Sequence, residues 1–214
     1  MIRLENVYKE LKGKRVFQDI NLTFNSGKAY LLKGHNGSGK TMLLRMLCGL
    51  IQPTRGIVVV PKNMYFGVII ENPAFLESET ALYNLRYLAN INKRISDDRI
   101  YHALKIVNLY DYRNDKVKMF SLGMKQRLAM CQAIMEDPNV LLLDEPFNAL
   151  DEDNYKVVCA LLAQYKRQGR LIIVAAHNIP EQETLLFDQV ITMNDGKVLS
   201  IEGSQSQTNL LTVQ

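Results

Sequence analysis

The strongest restriction on the fold comes from a glycine-rich segment, Gly-His-Asn-Gly-Ser-Gly-Lys-Thr, at residues 34–41. An apolar run at residues 29–32 precedes it, and residues 42–47 after it are apolar except for Arg45. This order predicts a strand, a tight turn and an amphipathic helix, which is the setting in which such a turn binds phosphate. The glycines let successive backbone N–H groups point at an anion, and the helix start adds the positive end of its dipole. The segment therefore predicts a nucleoside triphosphate site rather than a turn without a ligand.

Two side chains at the end of this segment are expected to act on the bound nucleotide. Lys40 can reach the β- and γ-phosphates as a point charge, while the Thr41 hydroxyl is placed to bind Mg²⁺. The imidazole of His35 is expected to take no part, because the loop binds through its backbone. The residues expected to bind the nucleotide are Gly34, Asn36, Gly37, Ser38, Gly39, Lys40, Thr41 and Met42.

Composition and charge fit a globular domain of ordinary kind. The chain has 214 residues, which is long enough to bury a sizeable core. It is 47% hydrophobic and 22% charged, which is ordinary for a globular protein. The net charge of +4 is small and the Lys and Arg residues are scattered, which argues against a nucleic-acid partner. No apolar run approaches the roughly 18 residues of a membrane helix, and residues 1–6 lack the apolar core of a secretory signal. The sequence therefore predicts a cytosolic protein with reduced, buried cysteines at Cys48, Cys131 and Cys159.

The spacing of apolar residues predicts an α/β fold with two added parts. Residues 2–8 and 16–24 predict an antiparallel hairpin ahead of the glycine-rich segment. Residues 78–135 carry apolar side chains at helical spacing and predict an inserted all-helical part. The continuous apolar runs at residues 140–143 and 171–176 predict buried strands of a parallel sheet that is covered on both faces. Further strands are expected at residues 57–60, 65–70, 189–193 and 197–201, and further helices at residues 152–166 and 179–187.

The predicted fold is therefore a P-loop NTPase with a mostly parallel central sheet, an N-terminal antiparallel β subdomain and an inserted α-helical subdomain. The chain is expected to form one domain. Its nucleotide-binding core is expected at about residues 1–77 and 136–201, the helical part at about 78–135, and a frayed polar tail at 202–214.

Two carboxylates follow the apolar run at residues 140–143, at the strand end where α/β sheets bind ligands. Asp144 is expected to bind Mg²⁺, directly or through water, and Glu145 to activate a water for attack on the γ-phosphorus. A purely structural pair of buried acids would need compensating partners and is the less favoured alternative. His177 follows the strand at residues 171–176 and is expected to contact the γ-phosphate and hold the attacking water.

Five segments, in their order and spacing, resemble the ABC-type ATPases: residues 34–41, 121–127, 141–146, 149–151 and His177. These segments span nearly the whole chain. The resemblance implies the ABC ATPase fold, with ATP and Mg²⁺ as the ligands.

The segment at residues 120–124 departs from the family signature Leu-Ser-Gly-Gly-Gln and keeps only Ser121 and Gly123. The resemblance implies that Ser121 and the amide of Gly123 bind the γ-phosphate held by a second subunit, with Asp151 as a further nucleotide contact. A hydroxyl and free amides at a helix start form an anion site. With one phosphate loop per chain, two chains, identical or related, are expected to face head to tail around two ATP molecules.

Glu71 stands where members of this family usually carry glutamine. A carboxylate can bind Mg²⁺ or orient water as an amide can, but it adds negative charge beside the triphosphate. Together with Asn72, Pro73 and the segment at residues 121–127, Glu71 resembles the ATPase subunits of bacterial antibiotic-resistance and lantibiotic or peptide exporters.

The family also stacks adenine on an aromatic residue upstream of the phosphate loop, and the spacing places Leu11 at that position. Tyr8, three residues earlier, is a candidate substitute. The alternative is that apolar contact alone holds the base.

The resemblance implies an ATP-hydrolysing subunit of an ABC membrane transporter that exports a peptide, drug or other amphipathic substrate. Such a subunit is held at the inner face of the cell membrane by an integral-membrane permease. Phe75, Leu76 and some of the tyrosines of the helical part are expected to form the groove that receives a permease helix. Those tyrosines are Tyr83, Tyr87, Tyr101, Tyr110 and Tyr112.

Three other functions are less favoured by the sequence. A soluble ABC-type ATPase of ribosomes or DNA usually carries a second ATPase domain or a long coiled-coil insertion. A small-molecule P-loop kinase has no use for Ser121 and Gly123. A subunit that only binds nucleotide would not need the complete set of hydrolytic residues.

Overall fold

The strands and helices follow the predicted alternation along the chain. The computed structural model describes residues 1–71, 74–92, 95–177, 179 and 181–203. The strands are β1 (Ile2–Leu11), β2 (Lys14–Phe24), β3 (Ala29–Lys33), β4 (Arg55–Val59), β5 (Phe66–Ile69), β6 (Val140–Asp144), β7 (Leu171–Ala176), β8 (Gln189–Asn194) and β9 (Lys197–Gly203). The α-helices are α1 (Lys40–Leu47), α2 (Ala81–Asn92), α3 (Asp97–Ile106), α4 (Leu122–Ile134) and α5 (Glu152–Arg167). Short 3₁₀ helices lie at Tyr110–Tyr112, Val117–Met119 and Glu181–Leu186.

The large sheet has the strand order β5-β6-β7-β3-β8-β9. Its first five strands are parallel, and β9 pairs antiparallel with β8. Every residue of β6 and β7 is buried, because helices or the second sheet cover both faces. The predicted mostly parallel sheet is therefore confirmed, and its carboxyl edge brings together the ends of β3, β5, β6 and β7.

The second sheet has three antiparallel strands in the order β2-β1-β4. It confirms the predicted N-terminal β subdomain, and the hairpin strands are longer than the sequence indicated. The turn between β1 and β2 has positive φ at both Lys12 (49°) and Gly13 (77°). Two central residues of positive φ give the twist that suits a tight hairpin.

The helices α2, α3 and α4 occupy the segment predicted to be helical. Leu82 and Leu85 of α2 are buried as expected, and Leu88 is half-buried. Ile91 was expected on the same apolar face, but it is 67% exposed. It belongs to the last turn of α2, beyond the part of the helix that packs on the core. The boundaries of this part, residues 78–135, stay a prediction.

The end of the chain differs from the prediction in two places. The helix expected at residues 179–187 is a 3₁₀ helix at Glu181–Leu186. Glu202 and Gly203, which the sequence assigned to the tail, pair with β8 as part of β9. The remaining tail at residues 204–214 lies outside the described residues, as do Asn72 and Pro73.

An apolar layer covers each face of the large sheet, because alternate residues of a strand point to opposite sides. Leu141 and Leu143 of β6 pack with α4 and α5. Val140 and Leu142 pack on the other side with α1 and the small sheet. These two layers fix α1, and with it the glycine-rich loop, at the carboxyl edge of the sheet.

The three cysteines are free thiols, as predicted, although only Cys131 is fully buried. Burial raises the pKa of the Cys131 thiol. Within the described part of the chain, no helix has the length and apolar character that a membrane crossing requires.

Strand β5 passes close beneath α4 because residue 67 has no side chain. A Cβ atom at Gly67 would overlap the carbonyl oxygen of Ala133 and lie 2.7 Å from Cγ of Pro138. We expect G67A to lower the free energy of unfolding by roughly 1–3 kcal/mol in urea denaturation. The matched control is G203A, where the nearest atom, the Asp188 oxygen, lies 3.9 Å from the added Cβ. Equal stability of the two variants would contradict this packing argument.

Candidate active site

The glycine-rich loop runs from the end of β3 to the start of α1. Gly39 is the N-cap of α1 and has a left-handed φ of 107°. A Cβ atom at this position would lie 2.9 Å from the ring of Phe17, so both the backbone conformation and the packing require glycine. Among the described residues, no side chain caps the start of α1. The helix start therefore remains available to an anion.

The turn between β8 and β9 supports the loop from behind. The backbone N–H of Gly196 donates to the Ser38 carbonyl at 3.1 Å, and Nε2 of His35 lies 2.6 Å from Oδ1 of Asn194. The Ser38 side chain is fully buried, and a Cβ atom at Gly34 would overlap a carbonyl oxygen of β8. Gly34 and Ser38 thus help to hold the loop in shape, and their assignment to nucleotide binding stays a prediction.

Lys40 is 6% exposed and lies folded against the loop. Its ammonium donates to the carbonyl oxygens of Gly34, at 2.7 Å, and His35, at 3.2 Å. A buried ammonium is costly unless it is paired, and carbonyl dipoles compensate its charge only in part. The Lys40 ammonium is therefore suited to bind an anion such as a phosphate group.

Thr41 and Asp144 meet across the site. The Thr41 hydroxyl donates to Oδ2 of Asp144 at 2.6 Å. Asp144 is only 9% exposed. Burial raises the pKa of the Asp144 carboxyl above its ordinary value, and the hydrogen bond from Thr41 opposes that rise. The two side chains offer the hard oxygen ligands that Mg²⁺ prefers, so the donor set fits the predicted metal.

Glu145 and His177 are directly hydrogen-bonded, with 2.7 Å between Oε1 and Nδ1. Glu145 follows β6 with a positive φ of 47°, and its backbone N–H donates to the Ala175 carbonyl at 2.8 Å. Gln126 of α4 donates from Nε2 to the Glu145 carbonyl at 3.2 Å. The sequence placed Glu145 and His177 at the same sheet edge, and the structure adds the contact between them.

A cavity of about 440 Å³ lies beside the glycine-rich loop, a size in the range of small-molecule sites, and Glu145 lines it whereas His177 does not. The residues that line it are Val16, Asn36, Gly37, Gly39, Lys40, Thr41, Met42, Arg45, Glu71, Asp144 and Glu145. Most of the residues predicted to bind the nucleotide and the metal therefore meet in one cavity.

Arg45 is a member of this cavity that the sequence prediction missed. It lies one turn after Thr41 on α1, and its Nη2 atom lies 2.5 Å from Oε1 of Glu71. The sequence carries a signal for this residue, since Arg45 is the one charged position in the apolar run at residues 42–47.

Ser121, Gly123 and Asp151 are not among the residues that line the cavity. Ser121 caps α4, where its hydroxyl accepts a hydrogen bond from the backbone N–H of Met124 at 3.2 Å. Asp151 caps α5 in the same way. In a single chain the Ser121 and Asp151 side chains act as helix caps, and the assignment of Ser121, Gly123 and Asp151 to a nucleotide held by a second subunit stays a prediction.

Tyr8 lines a second cavity of about 320 Å³, together with Phe17, Arg55 and neighbouring polar residues. Val16, on the adjoining strand β2, faces the loop cavity instead. Val16 and Phe17 line different cavities because successive residues of a strand point to opposite faces. The choice between Tyr8 and apolar contact alone stays open, and Val16 joins the candidates for the base.

Fold and site together define a P-loop nucleotide-binding protein. The sequence matches the ABC transporter family over residues 17–148. It is 42% identical over 213 residues to the ABC transporter ATP-binding protein YybJ of Bacillus subtilis (strain 168), covering 94% of this chain and 96% of that protein. It is 33% identical to the bacitracin transport ATP-binding protein BcrA of Enterococcus faecalis, covering 93% and 68%. The chain belongs to the ABC transporter family.

The fold is similar to that of solved ATP-binding cassettes. A dimeric ATP-binding cassette bound to ADP and Pi superposes with a TM-score of 0.86 at 24% identity, covering 95% of this chain and 99% of that one. The predicted ABC ATPase fold is confirmed. Family membership also confirms the predicted class, an ATP-hydrolysing transporter subunit that uses ATP and Mg²⁺ and works with a second ATP-binding subunit and a permease.

The role of Asp144 can be tested by thermal unfolding without and with nucleotide. We expect D144N to raise the melting temperature of the nucleotide-free protein by a few degrees at neutral pH, because it removes a buried charge while keeping an acceptor for Thr41. Stabilisation by Mg–ATP over metal-free ATP should be lost in the same variant. Unchanged stability with a full response to Mg²⁺, measured by thermal unfolding, would remove Asp144 from the metal site.

Proposed function

We propose that this chain binds Mg–ATP in the loop cavity, pairs head to tail with a second ATP-binding subunit, and hydrolyses ATP to drive a permease that exports an amphipathic substrate. One observation carries the proposal. The buried Lys40, the Thr41–Asp144 pair and the Glu145–His177 pair lie at the same edge of one sheet.

Binding of the triphosphate is assigned to the loop backbone, the start of α1 and Lys40. The ammonium exchanges part of its interaction with the Gly34 and His35 carbonyls for phosphate oxygens. Charge-assisted hydrogen bonds are stronger than those to carbonyl groups, which favours this exchange. Thr41 and Asp144 hold Mg²⁺, and the metal supplies charge neutralisation for the γ-phosphoryl group when it is bound.

Glu145 is assigned as the general base that accepts a proton from the attacking water. An ionised carboxylate can only accept hydrogen bonds, so Nδ1 of His177 carries a proton toward Glu145. Nε2 of His177 is then left for the attacking water or the γ-phosphate. Glu71, on the rim of the same cavity, is assigned to orient water or to contribute to metal binding.

The second subunit is assigned the other half of each site. Ser121 is exposed at the start of α4, where its hydroxyl and the amide of Gly123 can reach an anion outside their own chain. Gly123 lies close to Ala149, since an added Cβ would be 2.7 Å from that carbonyl oxygen. Asp151 is the N-cap of α5. Since ATP contacts both chains, it favours the closed dimer, and hydrolysis removes the shared γ-phosphate.

A permease contact is assigned to exposed apolar side chains beyond Glu71. Leu76, Tyr83 and Tyr87 are exposed and lie on α2 or just before it. Tyr101 and Tyr110 instead pack edge to face at 5.8 Å and have a structural role. The name of the relative that transports bacitracin supports an amphipathic peptide as the substrate class. Binding to a permease would place the chain at the cytoplasmic face of the membrane.

The role of Glu145 can be tested by separating binding from hydrolysis. We expect E145Q to bind Mg–ATP as tightly as the wild type but to lose turnover by roughly 100-fold or more, because a general base contributes factors of that order. Turnover is measured without any added acceptor, a condition under which a kinase would be nearly silent.

The matched control is E152Q, which changes an exposed carboxylate at the start of α5. It should leave both binding and turnover unchanged. Wild-type turnover in E145Q would refute the assignment of the base.

A further inference from the structure

The side chains of Arg45 and Glu71 form an ion pair on the rim of the loop cavity. Nη2 of Arg45 lies 2.5 Å from Oε1 of Glu71, and both residues line the cavity. Arg45 follows Thr41 by four residues on α1, so the two share one face of the helix. The Arg45 guanidinium therefore lies on the same side of α1 as the Thr41 hydroxyl, which is assigned to Mg²⁺.

Glu71 has an unusual backbone conformation and a paired side chain. Its backbone has a left-handed φ of 59°, which is uncommon for a residue with a side chain. Its carboxylate reaches Arg45. Glu71 therefore links the segment after β5 to α1.

The charges of the cavity explain why such a pair matters. Three carboxylates line it, from Glu71, Asp144 and Glu145, and Lys40 and Arg45 are the cations among its described residues. A bound triphosphate adds further negative charge. A glutamate at position 71 is therefore unfavourable for binding unless its charge is compensated nearby.

We propose that Arg45 is a positioning residue, which holds the Glu71 carboxylate and cancels its charge so that the triphosphate can bind beside it. The inference rests on the proposed function, because it assumes that ATP occupies the loop cavity. It explains how this chain accommodates a carboxylate at position 71, where members of the family usually carry a neutral glutamine.

A double-mutant cycle tests the proposal. The variants are R45Q, E71Q and R45Q/E71Q, and the readout is the dissociation constant of ATP in EDTA, by calorimetry, where no hydrolysis interferes. We expect R45Q to weaken binding roughly fivefold, since partly exposed charges interact weakly. E71Q should bind at least as tightly as the wild type, and the double variant should return to within about twofold of it, because the charge to be compensated is gone.

Two further variants complete the design. R45K keeps the cation and should bind within about twofold of the wild type. R86Q breaks a comparable ion pair, between Arg86 and Asp97 of the helical part, and should change nothing. Thermal unfolding without nucleotide checks that each variant is folded.

Two outcomes would overturn the proposal. If R45Q binds like the wild type, the pair has no role in binding. If the double variant stays as weak as R45Q, Arg45 contacts the nucleotide directly instead of positioning Glu71. Both outcomes leave the proposed function intact, whereas a wild-type chain that does not bind ATP at all would refute that function together with this inference.

Discussion

The hydrogen bond between Thr41 and Asp144 is the contact on which the whole site depends. Thr41 belongs to the first turn of α1, after β3, and Asp144 is the last residue of β6. Strand β7 separates β3 from β6 in the sheet, so the two side chains meet only because α1 packs over the buried strands between them. The parallel sheet thus converts two distant sequence motifs into one oxygen-rich site. Loss of Thr41 would leave the buried Asp144 carboxylate without its hydrogen-bond donor.

The same edge of the sheet concentrates charge in a way that requires compensation. Lys40 is buried with carbonyl oxygens as partners, and burial raises the pKa of Asp144. An ion pair between Arg45 and Glu71 neutralises one further carboxylate. These partly compensated charges are costly in the nucleotide-free protein. They interact favourably with a bound nucleotide and its divalent cation. This is the physical reason why the site is suited to a nucleotide with a divalent cation.

The sequence was sufficient to predict what depends on neighbouring residues. The loop at residues 34–41 and the acids after residues 140–143 carry local patterns, and the predicted strands and helix starts at both places are confirmed. What it could not predict are contacts between elements. The bond from Glu145 to His177 depends on the register that places Asp144 beside Ala175, and the partner of Glu71 depends on how α1 lies over the sheet. Ile91 was misplaced because a helical pattern does not tell where the core beneath a helix ends. The roles of Ser121 and Asp151 depend on a second chain.

The central claim is that each nucleotide is held by the loop of one chain and the signature serine of another. A mixture of two inactive variants tests it most directly, one chain carrying K40A and the other S121R. In a mixed dimer, one site combines an intact Lys40 with an intact Ser121. The account predicts that each variant alone is nearly inactive and that the mixture recovers ATP turnover, up to about a quarter of the wild-type rate if half of the dimers are mixed. A mixture that stays as inactive as its components, although both chains are folded and form dimers, would contradict it.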